Sequence, residues 1–124
     1  MCGIAGIVSS DLNETIDKEL IQNMTNVLAH RGPDGSGSFH DKGISLGHRR
    51  LSIIDVEGGH QPMSSEDGMI TITYNGEIYN FETLRKELLD LGYNFRTKSD
   101  TEVIIQAYLQ WGIEAIGRFN GMFA

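Results

Sequence analysis

The stretch Cys2-Gly3-Ile4-Ala5-Gly6-Ile7-Val8 decides how this chain begins to fold. It is short and almost entirely apolar, which is typical of a strand that is covered on both of its faces. The strand starts almost at the first residue. A cysteine therefore stands at the very beginning of the first predicted strand.

The next part of the chain mixes helical and extended patterns. Apolar residues at helical spacing predict an amphipathic helix from about residue 15 to about residue 30. Residues 30–37 contain three glycines and a proline, which predict a loop. Strands are predicted from residue 44 to about residue 54 and, with clear alternation of side chains, from residue 69 to residue 74.

The last third of the chain is mainly helical. Asn80 is suited to cap a helix that stops at Gly92, and the S-x-x-E spacing of residues 99–102 predicts a capping box at the start of another helix. Residues 93–96 and 121–124 are predicted to be extended, with a short helix between them at about 114–118. The whole pattern is that of a single α+β domain over residues 1–124.

Composition excludes several classes of function. A net charge of −7 and a pI of about 4.9 argue against a nucleic-acid partner, which needs clustered basic residues. A single cysteine cannot form an internal disulfide, so the cytoplasm is the expected compartment. No apolar run approaches the length of about 20 residues that spans a membrane. The histidines have no metal-ligand spacing, and we expect no metal site.

Cys2 gains special chemistry if Met1 is removed. It would then carry a free α-amino group, whose pKa of about 8 leaves it partly neutral at cellular pH and able to accept the thiol proton. With Met1 attached, the same nitrogen is an amide without useful basicity, so activity is expected to depend on processing. The alternative is that Cys2 is only a small buried apolar residue.

Three other positions have two interpretations each. Asn75-Gly76 is a strong hairpin signal, but the following residues predict a helix, so the amide and the glycine N–H are also candidate oxyanion donors. Arg50 is suited to bind a carboxylate with its guanidinium or to lie in solvent as a surface residue. Asp100 is suited to a helix first turn or to binding a substrate ammonium.

Six motifs occur in order along the chain: Met1-Cys2-Gly3-Ile4-Ala5-Gly6, Arg31-Gly32-Pro33-Asp34-Gly35-Ser36-Gly37, His48-Arg49-Arg50-Leu51-Ser52-Ile53-Ile54-Asp55, Gln61-Pro62-Met63, Asn75-Gly76-Glu77-Ile78-Tyr79-Asn80 and Ser99-Asp100-Thr101-Glu102. Together they resemble the glutaminase domain of glutamine-dependent asparagine synthetases. The resemblance covers the whole chain, and six motifs in one order are far more specific than any of them alone.

The resemblance implies an N-terminal-nucleophile fold, a four-layer αββα sandwich, and a thioester mechanism that releases ammonia from L-glutamine. Cys2 would be the nucleophile, and Asn75 with the Gly76 N–H would hold the oxyanion. The residues that would bind glutamine are Arg50 at the carboxylate, main chain near Leu51 and Ile53, Asn75 and Gly76, and Glu77 and Asp100 at the ammonium.

The resemblance also carries expectations beyond this sequence. The family's glutaminase domain is longer than this chain, so its last strands and helices are expected to be missing here. A downstream synthetase domain using ATP and magnesium would pass the ammonia to aspartate and make asparagine, with a homodimer as one assembly. The alternatives are another acceptor, such as a sugar, a peptide or a purine precursor, and a non-catalytic regulatory or interaction module.

Overall fold

A computed structural model describes residues 1–52 and 58–124. They fall into two compact units. The first comprises residues 1–52, 60–62 and 73–75, and the second comprises residues 58–59, 63–72 and 76–124. Both units contain helix and antiparallel sheet, which agrees with the predicted α+β class. Within the described ranges, the helices are all too short or too polar to cross a membrane.

The first unit is a three-stranded antiparallel sheet with one helix. Strands β1 (Gly3–Val8), β2 (Gly35–Asp41) and β3 (Ile44–Arg50) lie in the order β1-β3-β2. Helix α1 (Lys18–Asn26) packs on one face of this sheet, where a side chain at Gly47 would overlap Thr25. The predicted first strand is confirmed at Gly3–Val8, but the prediction that both of its faces are covered is wrong, since Val8 is 71% exposed. Helix α1 is shorter than the predicted helix of residues 15–30.

The loop predicted for residues 30–37 is wrong at its end, because β2 already begins at Gly35. The three glycines were expected to interrupt regular secondary structure, but Gly37 lies inside strand β2 for a packing reason. A Cβ at Gly37 would overlap the carbonyl oxygen of Gln61, so the missing side chain permits a close approach of backbone. Gly37 therefore lies where the backbone of Gln61 packs closely against strand β2.

Over its described residues, the second unit has four short strands and three helical segments. Strand β4 (Met63–Ser64) pairs with β5 (Thr71–Ile72), and β6 (Gly76–Ile78) pairs with β7 (Gly121–Phe123), both antiparallel. The helices are α2 (Phe81–Asp90), α3 (Asp100–Trp111) and a 3-10 helix at Gly112–Arg118. The core residues of this unit are Met63, Ile78, Leu84, Leu88, Val103, Ile105, Ala107 and Ala115.

The strand predicted for residues 69–74 is much shorter than expected, since only Thr71–Ile72 pairs with another strand. The predicted helix stops are confirmed. Gly92 has a φ of 94° and follows α2 with the two hydrogen bonds of a Schellman motif, Tyr93 N to Leu88 O and Gly92 N to Leu89 O. Gly112 ends α3 with a φ of 58°. Both stops depend on local backbone geometry.

The start of α3 differs from the predicted capping box. Ser99 does cap the helix, accepting a hydrogen bond from Thr101 N, but the Glu102 carboxylate turns away and accepts from Arg96 N and Thr97 N. The strand predicted for residues 93–96 is therefore wrong, because a side chain takes the backbone N–H groups that a ladder would need. Asn80 likewise precedes α2 without capping it, since its amide contacts Arg118 O and Asn120 N.

Candidate active site

The Cys2 thiol is held by the main chain of a single residue. Leu51 N donates to Cys2 Sγ at 3.3 Å, and Sγ lies 3.7 Å from Leu51 O in donor geometry. Gly3 pairs with Arg49 in the β1–β3 register, so Cys2 continues β1 beside Arg50. The sheet therefore brings three of the predicted site residues together: Cys2, Arg50 and Leu51.

A loop that sequence reasoning did not assign to the site supports this corner. Arg31 Nε donates to Cys2 O at 3.1 Å, and Asp34 N donates to Arg50 O at 3.0 Å. The Asp34 carboxylate in turn accepts from Ser52 N at 2.8 Å. The only signal in the sequence was the glycine- and proline-rich motif of residues 31–37, whose partners are remote along the chain.

Arg50 lies in the buried interior of the first unit. It is 8% exposed, so the alternative of a solvated surface arginine is wrong. Alternation along β3 places Arg50 on the same face as His48, opposite to the face that α1 covers at Gly47. Burial, and then the positive charge of Arg50, lower the pKa of His48 to about 4. The imidazole is therefore neutral at cellular pH.

Asn75 ends a segment, Thr73–Asn75, that belongs to the first unit and pairs with no strand in the part of the chain that the structure describes. Tyr74 N donates to Gln61 Oε1 at 2.7 Å, and Thr73 Oγ1 lies 3.3 Å from Gly47 O. Asn75 Oδ1 is buried and has no hydrogen-bond partner among the described residues. Asn75, which is half-buried, thus presents a buried amide oxygen whose acceptor capacity is not used by the described residues.

The hairpin alternative for Asn75-Gly76 is wrong, because β6 pairs with β7 rather than with a strand that follows a tight turn. Tyr79 N donates to Asn120 O across this ladder, whereas Ile78 N donates to the Asp100 carboxylate. Since N–H directions alternate along a strand, the Gly76 N–H points away from β7 as the Ile78 N–H does. A side chain at Gly76 would overlap β7, so only glycine fits.

The two predicted ammonium ligands lie in the second unit. Asp100 is 5% exposed, is the first residue of α3, and accepts a hydrogen bond from Ile78 N at 3.1 Å. Glu77 is half-buried in β6 between Gly76 and Ile78, opposite Met122 of β7. The interpretation of Asp100 as a residue of a helix first turn is confirmed. Its role as an ammonium ligand stays a prediction, and a carboxylate has acceptor capacity for more than one donor.

The predicted residues thus fall into two groups, and each unit positions its own. The first unit holds Cys2, Arg50, Leu51 and Asn75, and the second holds Gly76, Glu77 and Asp100. The prediction for Ile53 falls on residues 53–57, outside the described residues. Over residues 1–52 and 58–124, His, Cys, Asp and Glu side chains form no group of three that is able to hold a metal ion.

The chain was compared with known proteins. A sequence model described as a glutamine amidotransferase domain matches residues 1–124. The chain is 50% identical to an asparagine synthetase (glutamine-hydrolysing) 1 of Bacillus subtilis strain 168, with all of the chain and 20% of that relative aligned. It is 39% identical to an asparagine synthetase (glutamine-hydrolysing) 1 of Arabidopsis thaliana and 42% identical to one of Sandersonia aurantiaca, covering 21% and 23% of them. The chain spans about a fifth of these relatives' length.

Proposed function

The chain belongs to the glutamine amidotransferase domain family, and from this premise we propose that it hydrolyses L-glutamine to glutamate and ammonia for an asparagine synthetase. The observation that carries the proposal is the position of Cys2 at the start of strand β1, with its sulfur held between the N–H and the carbonyl of Leu51. This arrangement supports the assignment of Cys2 as the nucleophile over the alternative that it is only a small buried apolar residue.

The reaction begins when the Cys2 sulfur attacks the side-chain amide carbon of glutamine. The thiol proton passes to the α-amino group of Cys2 and from there to the departing nitrogen, so that ammonia leaves and a thioester forms. Water then attacks the thioester, which releases glutamate and restores the thiol. Met1 is 53% exposed, so the bond that must be cut to free this α-amino group lies at the surface.

The tetrahedral intermediate carries a negative oxygen, and two groups are suited to bind it. Asn75 has a buried amide oxygen that is unpartnered among the described residues, and rotation of the amide by half a turn presents its NH₂ there instead. The Gly76 N–H points out of the β6–β7 ladder. Such donors are each worth about 10² to 10³ in rate.

Free glutamine carries a carboxylate and an ammonium on one carbon, so its binding site needs both signs of charge. We assign the carboxylate to buried Arg50, whose fork of donors matches that geometry. We assign the ammonium to Glu77 and Asp100, and the remaining contacts to the main chain near Leu51 and Ile53. Binding groups of both charges would favour glutamine over an amide that lacks the carboxylate and the ammonium.

The wider expectations also belong to this proposal. They are the four-layer N-terminal-nucleophile sandwich, a glutaminase domain that extends beyond these residues, and a synthetase domain in the same chain that uses ATP and magnesium. Aspartate as the ammonia acceptor is supported by the names of the relatives. A homodimer and a cytoplasmic location stay predictions.

The test is Cys2→Ala in the full-length, processed protein, with Cys2→Ser as the matched control of similar size. Both changes should reduce glutamine-dependent ammonia release to background, while a glutamine-mimicking diazoketone should add one label to the wild-type amino-terminal peptide and none to either variant. Ammonia release that survives Cys2→Ala, or that is unchanged when Met1 is retained, would overturn the proposed mechanism.

A further inference from the structure

His48 is a buried polar residue that the proposed reaction does not use. Its side chain is 1% exposed, and it lies in β3 two residues before Arg50. Its Nδ1 lies 3.2 Å from Thr73 Oγ1, and its Nε2 has no hydrogen-bond partner among the described residues. A buried polar side chain with one ring nitrogen occupied and one unoccupied calls for a physical reason.

The hydrogen bonds around Thr73 determine the tautomer of His48. The Thr73 hydroxyl has one proton, and its oxygen lies 3.3 Å from Gly47 O, a group that can only accept. The hydroxyl proton therefore goes to Gly47 O, and the hydroxyl oxygen accepts the proton on His48 Nδ1. The result is a directed chain from His48 Nδ1–H through Thr73 Oγ1–H to Gly47 O, with the imidazole neutral.

This hydrogen-bonded chain anchors a piece of backbone that lies outside the strand ladders. Among the described residues, Thr73–Asn75 pairs with no strand, and its anchors include the Thr73 hydroxyl and the bond from Tyr74 N to Gln61 Oε1. Asn75 is two residues beyond Thr73. The position of the Asn75 amide in the first unit is therefore set by side chains that act through the backbone of this segment.

We propose that His48 and Thr73 are positioning residues for the Asn75 amide in glutamine hydrolysis. The hydrogen-bonded chain from β3 holds the Thr73–Asn75 segment at the distance at which the amide meets the oxyanion. This role rests on the proposed function and adds two residues to it. Neither side chain needs to contact glutamine, so both act on turnover rather than on substrate affinity.

The test uses Thr73→Val, which keeps the shape but removes the hydroxyl, and Thr73→Ser, which keeps the hydroxyl, in the full-length processed protein. Thr73→Val should lower kcat for glutamine hydrolysis by about 10- to 100-fold with KM within about twofold, because small misplacements of catalytic groups have such effects. Thr73→Ser should retain activity within about threefold of wild type.

The decisive measurement repeats Thr73→Val in the Asn75→Ala background. If Thr73 acts through Asn75, Thr73→Val should lower kcat by less than about twofold in the protein that already lacks the Asn75 amide. The same loss in both backgrounds, a loss in KM alone, or an equal loss with Thr73→Ser would overturn the proposal. These results differ from failure of the proposed function, in which wild-type protein would release no ammonia.

A second pair of variants covers the case in which Thr73→Val does not fold. His48→Asn places an amide NH₂ near the position of Nδ1 and should keep most of kcat, whereas His48→Leu should lower it as Thr73→Val is expected to do. Equal kcat values for these two folded variants would contradict a positioning role for the Nδ1 proton.

Discussion

Two short segments lie outside the strand pairings of the described residues, and each is bound by a buried side chain. They differ in whether buried polar atoms are left there without a hydrogen-bond partner. Segment 96–99 is bound by Glu102, which is 1% exposed and whose carboxylate accepts from Arg96 N, Thr97 N and Thr97 Oγ1. The Thr73–Asn75 segment is bound by His48, yet His48 Nε2 and Asn75 Oδ1 are buried without a partner among the described residues.

The difference separates polar groups that stabilise from polar groups that stand ready for a ligand. The hydrogen bonds from several donors offset the free-energy cost of removing the Glu102 carboxylate from water. Glu102 therefore stabilises a loop and the start of α3. The buried amide oxygen of Asn75 has no hydrogen-bond partner among the described residues, so its desolvation cost in folding free energy is not offset. Such a cost is tolerated where a substrate will supply the missing partner, and with the amide rotated by half a turn the unused group is the NH₂ donor that the proposed role of Asn75 requires.

The comparison is tested most strongly by Asn75→Ala. The change removes an oxyanion donor but leaves no new buried partner unsatisfied, so kcat for glutamine hydrolysis should fall by about 10² to 10³ with little change in KM. The thermal midpoint should stay within about 2 °C of wild type. A variant that altered only glutamine affinity would remove Asn75 from the oxyanion site.

Glu102→Ala should produce the opposite pattern. Loss of the carboxylate leaves the N–H groups of Arg96 and Thr97 without their acceptor, which should destabilise the protein by about 3 kcal/mol. The proportion of folded protein that is active should not change, as measured by diazoketone labelling of Cys2 alongside thermal unfolding. Glu102→Gln, which keeps an acceptor oxygen, is the control and should lose less stability.

The pH dependence of stability should reveal His48. Its pKa of about 4 in the folded protein lies below the usual value of 6.5, so the unfolded chain takes up the proton first as the pH falls. Stability should therefore be lost between about pH 6.5 and pH 4, by about 3 kcal/mol. His48→Asn removes this titration, and an unchanged pH profile of unfolding in that variant would contradict the assignment.

Local signals predicted the parts of the fold that depend on neighbours along the chain. Gly92 and Gly112 were correctly predicted to end helices, because a left-handed residue is a property of the backbone at that point. Ser99 was correctly predicted to start α3 for a similar reason. Residues whose hydrogen-bond or packing partners lie outside their own element were predicted less well. Glu102 accepts from the backbone of residues 96–97 instead of closing a capping box, and β2 begins earlier than the predicted loop allows.

The amino-acid sequence by itself determined the chemical inventory of this protein: one cysteine at position 2, an Asn-Gly pair after an extended stretch, and an arginine and acidic residues suited to glutamine. Only the tertiary structure decided that Arg50 is buried, that the Gly76 N–H points out of its ladder, and that His48 and Thr73 hold the segment before Asn75. The sequence specifies which residue types are present. Burial and hydrogen-bond direction depend on which residues, distant in sequence, pack together and share the same hydrogen-bond donors and acceptors.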